Sequence, residues 1–325
     1  MQRRYRTALT LSTGLIALVA ACGDDTTSGP SADEPAIVAT TSIWADVAAN
    51  LACDGLAAIQ TVIPIGGDPH SFEPSLQDRH VLETADLIVA NGLLLEESLE
   101  DTIDAAEEQG TPVFRFADHM TPLDTSDTEQ HESDAEQDDG DIDEGDGHGE
   151  GDPHVWFDPT RVAAALPPLR DALVERAGLD AGRVDECLDA YQAAIAATDT
   201  EITALLDVIP TDRRKLVTNH EALGYFAEHY GFEVLGAVIP SPSTLAETNP
   251  ADLQDLVRLI DEADVPAIFV EAQHSSVEAE ALADVVGDIS VVTLFTDSVG
   301  PAESGADTYL GLLSTDARLI VDALS

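Results

Sequence analysis

Short apolar runs and longer helical patterns alternate along most of this chain. Ala36 to Thr41, Gln60 to Ile65, Leu87 to Ala90 and Thr111 to Phe116 read as strands, apolar or β-branched runs set off by turn residues. Between them, Ile43 to Ala52, Ser75 to Thr84 and Leu94 to Glu108 carry apolar residues at helical spacing. The second half repeats the pattern, with strands at Lys215 to Thr218, Phe232 to Val238, Ala267 to Val270 and Ser290 to Leu294. Helices at Glu221 to Tyr230, Pro250 to Ala263 and Val277 to Val286 separate them. A repeated βα order predicts parallel sheets covered by helices, so the expected class is α/β with two βα lobes. Thr160 to Ala177 is a further helix, expected to bend or restart at Pro167-Pro168.

One longer helix lies between the halves. Val184, Leu188, Tyr191, Ile195, Ile202, Leu205 and Ile209 form a continuous apolar stripe from Arg183 to Pro210. At full length it would span roughly 40 Å. Such a stripe is core rather than site. The division that follows is an N-terminal lobe over 36–182, a linking helix over 183–210 and a C-terminal lobe over 211–325. A helix packed along both lobes resists wide hinge opening, so a site between them should be largely preformed.

The N-terminus changes the picture. Arg3, Arg4 and Arg6 precede an apolar stretch from Ala8 to Ala21, too short to span a membrane as a helix. It ends in Val19-Ala20-Ala21-Cys22, which resembles the lipobox of bacterial lipoproteins, where cleavage leaves the cysteine to carry acyl chains. Residues 1–21 are therefore expected to be a lipoprotein signal peptide, Cys22 the lipidated residue and 22–35 a flexible tether. The mature protein would be extracytoplasmic, anchored to the cell membrane by an N-terminal lipid. The alternative is an ordinary secretory signal with an incidental cysteine.

Three of the 14 basic residues lie in that signal, leaving 11 against 63 acids. This charge argues against nucleic acid or anionic lipid surfaces as partners and favours a raised local cation concentration. The acids concentrate from Asp124 to Asp152, where 14 of 29 residues are Asp or Glu, two are His, and none is Lys or Arg. So polar a run is expected to be a disordered acidic loop that holds cations weakly. It leads into the turn Asp152-Pro153-His154.

Ligands of α/β proteins sit beyond the carboxyl ends of strands. His70 follows a predicted strand through Gly66-Gly67-Asp68-Pro69; His220 and Asp297 also follow predicted strands, and His154 closes the acidic loop. Three imidazoles and a carboxylate suit Zn²⁺. The segments Gly66 to Pro74, His154 to Pro159, Thr218 to Phe226 and Phe295 to Ser298 resemble the four metal-site segments of the ZnuA/TroA-like solute-binding proteins, the cluster A-I receptors of zinc and manganese ABC importers. The resemblance runs from about Ala36 to Ser325. It implies two βα lobes joined by one long backbone helix, a metal site in the interlobe cleft held by His70, His154, His220 and Asp297, and an ABC importer permease as partner of a monomeric receptor. In that family a glutamate in place of the third histidine goes with manganese; here the position is His220, which implies zinc, with Mn²⁺ or Fe²⁺ as the alternative. Many zinc members carry a His-rich insertion before the second ligand, whereas this insertion is carboxylate-rich.

A zinc hydrolase is the rival class, and would need an open coordination position with a general base beside it. A structural zinc site in a surface protein is a third. Of the other histidines, His80 and His229 are expected to be solvated, and His119 and His274 to be rim residues or auxiliary ligands. Glu221 reads as a first-turn helix acid. With Cys22 committed to lipid, Cys53 and Cys187 are an even pair in an exported protein, expected to form a disulfide; the alternative is two buried free thiols.

Overall fold

The computed structural model describes residues 34–53, 55–123, 151–246, 248–287 and 289–325, and 34–325 form one compact unit. Cys22, the signal, most of the tether and the acidic run from 124 to 150 lie outside the described residues. Two four-stranded parallel sheets build the unit. The first pairs β1 (Ala36–Ala39), β2 (Ala58–Thr61), β3 (Leu87–Ala90) and β4 (Val113–Arg115) in the order β2-β1-β3-β4. The second pairs β5 (Lys215–Thr218), β6 (Glu233–Ala237), β7 (Ala267–Glu271) and β8 (Ser290–Leu294) in the order β6-β5-β7-β8, the same topology repeated. In each, strand order reverses beside the first strand, which is where an α/β sheet opens a crevice at its carboxyl edge.

Both sheets are buried on both faces, as parallel sheets require. Along β1 and β3, Ile37, Ala39, Leu87 and Val89 face one core, while Val38, Ile88 and Ala90 face another. The second core is closed by α2 (Leu76–Glu83) and α3 (Glu100–Glu108). The C-terminal lobe repeats the division: Leu216, Ala267, Phe269 and Leu294 turn inward, and Val217, Ile268 and Val270 pack outward. The inward faces of both sheets enter one continuous core. It is filled by α1 (Ser42–Leu51), α4 (Pro159–Glu175), α5 (Ala181–Leu206), α6 (Gly224–Tyr230) and α9 (Tyr309–Leu324). The outer face of the second lobe is closed by α7 (Pro250–Ala263) and α8 (Val277–Val286). Opening the lobes wide would expose a shared core rather than a simple seam.

The linking helix α5 runs over 181–206 instead of 183–210, and its 26 residues span about 39 Å. Val184, Tyr191, Ile195, Ile202 and Leu206 are buried, as the stripe predicts. Asp180 caps its start, and the chain leaves the helix at Asp207. Pro167 and Pro168 do not restart α4, which continues through both. Pro167 has no N–H for the carbonyl of Ala163, and the Gln192 side chain of α5 donates to that oxygen instead, at 3.1 Å. Two expectations shift at the first lobe. β2 ends at Thr61, although the N–H groups of Val62 and Ile63 still bond to Ala39 and Thr40. The helix expected from Leu94 begins only at Glu100, after turns in which Leu93 and Leu94 take positive φ. α9 lies beyond the elements expected from the sequence and packs against α5. No helix among the described residues is long and apolar enough to cross a membrane.

Cys53 and Cys187 are bridged, with Cα atoms 5.9 Å apart, within the ordinary disulfide range. The bond fastens the end of α1 to α5. Across the lobes, Ser298 accepts the N–H of Gly66 at 2.8 Å and shares a 3.0 Å hydrogen bond with Ser42, whose hydroxyl accepts the N–H of Val299.

Candidate metal centre

Two Asp-Pro-His turns present two of the site's imidazoles. In each, proline fixes the middle residue and the aspartate accepts the histidine's own N–H, an Asx turn that holds the ring where the chain reverses. His70 N–H reaches Asp68 at 3.0 Å, and His154 N–H reaches Asp152 at 2.9 Å. The second turn is pinned further. Asn91, just after β3, donates to the Pro153 carbonyl at 2.8 Å and accepts from the Trp44 indole at 3.0 Å. Tyr225 donates to the Asp152 carbonyl at 2.7 Å. Below the turn, Trp156 is clamped by the Thr296 carbonyl at 2.9 Å and by the Tyr309 hydroxyl on its own carbonyl at 2.7 Å. His220 stands two residues past β5, and Asp297 three past β8.

These four side chains converge. Their donor atoms all lie within 4.8 Å of one another, and all four residues are buried. The Nε2 atoms of His154 and His220 are 3.0 Å apart, and Asp297 Oδ1 lies 3.8 Å from His154 Nε2. The His70 ring sits 5.6 Å from each of the other two by centroid. Asp297 Oδ1 and both His70 nitrogens have no hydrogen-bond partner. Orphaned polar atoms at this depth demand an explanation, and a cation among them supplies one.

Carboxylates stand behind the rings. Asp152 Oδ1 is 2.7 Å from His154 Nδ1, Glu271 Oε1 bonds to His220 Nδ1, and Glu97 Oε1 lies 3.6 Å from His70 Nδ1. On His154 and His220 the carboxylate hydrogen-bonded to Nδ1 fixes the tautomer with Nε2 free to ligate and makes that nitrogen more basic. Burial lowers the His154 pKa well below the ordinary imidazole value, reinforced by charge on His220 and His70. Burial opposes charge on His220 too, but the Glu271 carboxylate, with Asp297 and Asp152, pushes it up to about 9. Asp297 is raised by burial, against the pull of His220, and Asp152 is raised by burial to about 7.

Sequence reasoning placed Asp152 inside the disordered acidic loop, yet it is buried against His154; its spacing in the Asp-Pro-His turn was the available signal. Glu97 and Asn91 had no signal, since only the fold brings them near. Glu221 is not in a helix's first turn, because α6 begins at Gly224. His229 is not simply solvated: it pairs with Asp199 at 2.8 Å. His80 is exposed, and His119 is exposed and stacks on Phe114. His274 lies beside the cage, its ring 6.2 Å from that of His220.

This arrangement has close parallels. The manganese-binding lipoprotein MntA of Halalkalibacterium halodurans is 30% identical over 318 residues, 96% of each chain. The zinc-binding protein TroA of Treponema pallidum is 30% identical over 297 residues, covering 90% of this chain and 89% of that one. The solved structure of the periplasmic zinc-binding protein TroA from Treponema pallidum matches with a TM-score of 0.77 at 28% identity, over 90% of this chain and 99% of the other. Both repeated sheets apart from Ala36, the long helix and all four converging side chains fall within residues 37–323, the span matched by the family described as ZnuA, zinc-uptake complex component A periplasmic, and the chain belongs to that family.

Proposed function

We propose that this protein is the extracytoplasmic receptor of an ABC metal importer, which captures Zn²⁺ between His70, His154, His220 and Asp297 and presents it to the membrane permease. The observation that carries the reading is the buried convergence of three imidazoles and a carboxylate, with Asp297 Oδ1 and the His70 nitrogens lacking hydrogen-bond partners. Three nitrogens and one oxygen suit tetrahedral Zn²⁺, whereas the harder Mn²⁺ favours more oxygen ligands. Relatives named for manganese, zinc and iron keep Mn²⁺, or Fe²⁺, as the second reading. Lipid on Cys22 would hold a monomeric receptor at the outer face of the cell membrane.

Four protein ligands fill a tetrahedral shell, which disfavours a hydrolase, whose metal keeps a position for water. A receptor must also load and release its ion while folded, unlike a structural zinc site. Metal analysis of protein purified without chelator should find one Zn²⁺ per chain, removable by chelator without unfolding. In the cell of origin, loss of the protein should lower zinc uptake under zinc limitation and leave manganese uptake intact. The opposite pattern would assign the receptor to manganese, and unfolding on metal removal would make the site structural.

A further inference from the structure

A second set of donors lies on the outer side of the cage. Asp68, His274 and Asp297 offer ligand atoms within 4.8 Å of one another. His274 Nε2 is 3.7 Å from Asp68 Oδ2 and 3.6 Å from Glu271 Oε2. Both separations are too long for hydrogen bonds. They are close to the spacing of about 3.3 Å between two donors on one tetrahedral Zn²⁺. His274 Nε2 and Glu271 Oε2 are buried atoms without a hydrogen-bond partner, and the Glu271 residue is only 3% exposed. Its other oxygen is committed to His220, so Oε2 is a spare acceptor aimed outward at His274.

The two Asp-Pro-His turns differ where this second set needs them to. Asp152 spends Oδ1 on its own histidine, both N–H and ring. Asp68 uses Oδ1 for the His70 N–H and turns Oδ2 away, toward Ser71, Thr244 at 3.0 Å and His274. The side chains of Asp68 and His274 are 11% and 20% exposed, against 0–1% for the cage histidines. The outer set therefore meets solvent where the inner one does not, and Asp297 belongs to both.

We propose that His274 and Asp68, with the Glu271 and Asp297 carboxylates behind them, form an outer binding station for a borderline divalent cation such as Zn²⁺, through which ions reach the cage. The inference rests on the receptor reading, because a station needs an inner site to feed. One imidazole among carboxylates, partly open to water, binds more weakly than three buried imidazoles and a carboxylate. The outer ion is then the second equivalent and the faster to exchange.

The test is a Zn²⁺ titration of the full mature chain at physiological ionic strength, followed by the ¹⁵N shifts of the histidine rings and by equilibrium dialysis. The first equivalent should move His154 and His220, and the second should move His274. H274A should keep the first equivalent, lose the second, and load more slowly from dilute Zn²⁺. Cations held by the acidic run are common to both proteins and cancel in the difference. A His274 ring that stays unmoved through excess Zn²⁺, or an H274A protein with the wild-type isotherm, would overturn the outer station while leaving the receptor reading intact. Absence of the first, tight equivalent in the wild type would instead overturn the receptor reading and the station with it.

Discussion

Loading this cage should expel a countable proton. In the metal-free protein, the Glu271 carboxylate on Nδ1 holds the His220 pKa at about 9, overcoming the opposing effect of burial. Metal needs Nε2 deprotonated, so below about pH 9 each ion must displace a proton from this ring. His154, pushed well below the ordinary range by burial and by its charged neighbours, is already neutral and releases none. Asp152, at about 7, is mostly ionised by pH 8. At pH 8, one unit below the His220 value, His220 should give up about 0.9 proton per Zn²⁺. Apparent affinity should climb about tenfold, about 1.4 kcal/mol, per unit from pH 7 toward 9. E271Q removes the largest of the charges that oppose burial and leaves only Asp297 and Asp152, so the His220 proton release at pH 8 should shrink well below the wild-type value. The intrinsic affinity should fall about 10- to 100-fold because the ring loses its orienting partner, offset at pH 8 by up to about tenfold through relief from proton competition. Calorimetry at pH 8 in two buffers of different ionisation enthalpy reads the proton count directly. A wild type that releases no proton, or an E271Q protein that releases as many as the wild type, would refute the argument.

Other consequences are measurable by routine means. H70A and H220A should each weaken Zn²⁺ binding by orders of magnitude in chelator competition, and D297A by less, because water can take the place of a carboxylate oxygen. Opening the Cys53–Cys187 bridge, which closes a separation of 134 residues, should lower stability by about 5 kcal/mol in the chain-entropy account, read from denaturant midpoints of C53S/C187S. Thiol titration of the denatured, unreduced mature chain without Cys22 should find no free thiol. Asp316 is buried, with Oδ2 unpartnered and its pKa raised by burial, so its folded-state ionisation is penalised above the unfolded pKa. D316N should therefore gain stability over wild type as pH rises from 4 to 8, with little difference at pH 4; a variant less stable at pH 8 than at pH 4, relative to wild type, would contradict this.

The parts of the site that sequence made legible are those whose chemistry is local. A strand followed by a turn announces where a donor can stand, so His70, His220 and Asp297 were readable from their positions, and His154 from its Asp-Pro-His turn. The apolar stripe of α5 was readable because its period is set by helix geometry alone. What escaped depends on contacts distant in sequence. Glu271 reads as the end of a buried strand until the fold sets it beside His220, 51 residues away. The continuity of α4 through two prolines could not be inferred either, because Gln192, which serves the freed Ala163 carbonyl, belongs to another helix. α9 is the exception, because its buried residues between Tyr309 and Leu324 recur at helical spacing, a signal that is local.

The carboxylates behind the rings create a problem that the His220 proton solves. Glu271 and Asp297 are 3% and 2% exposed, and a buried carboxylate without a partner is strongly destabilising. With metal in the cage, its two positive charges compensate them. Without metal, the proton on His220 supplies a positive charge at the same place, between Glu271 on Nδ1 and Asp297 across the cage. Loading then exchanges a proton for a dication instead of filling a void in an uncompensated cluster. This lets a cage built on one shared core, tied through Ser42, Ser298 and Gly66, stay assembled without its ion. The proton that lowers affinity at neutral pH is thus the same one that keeps the empty site intact, and acidification should favour release of the ion by strengthening its competitor.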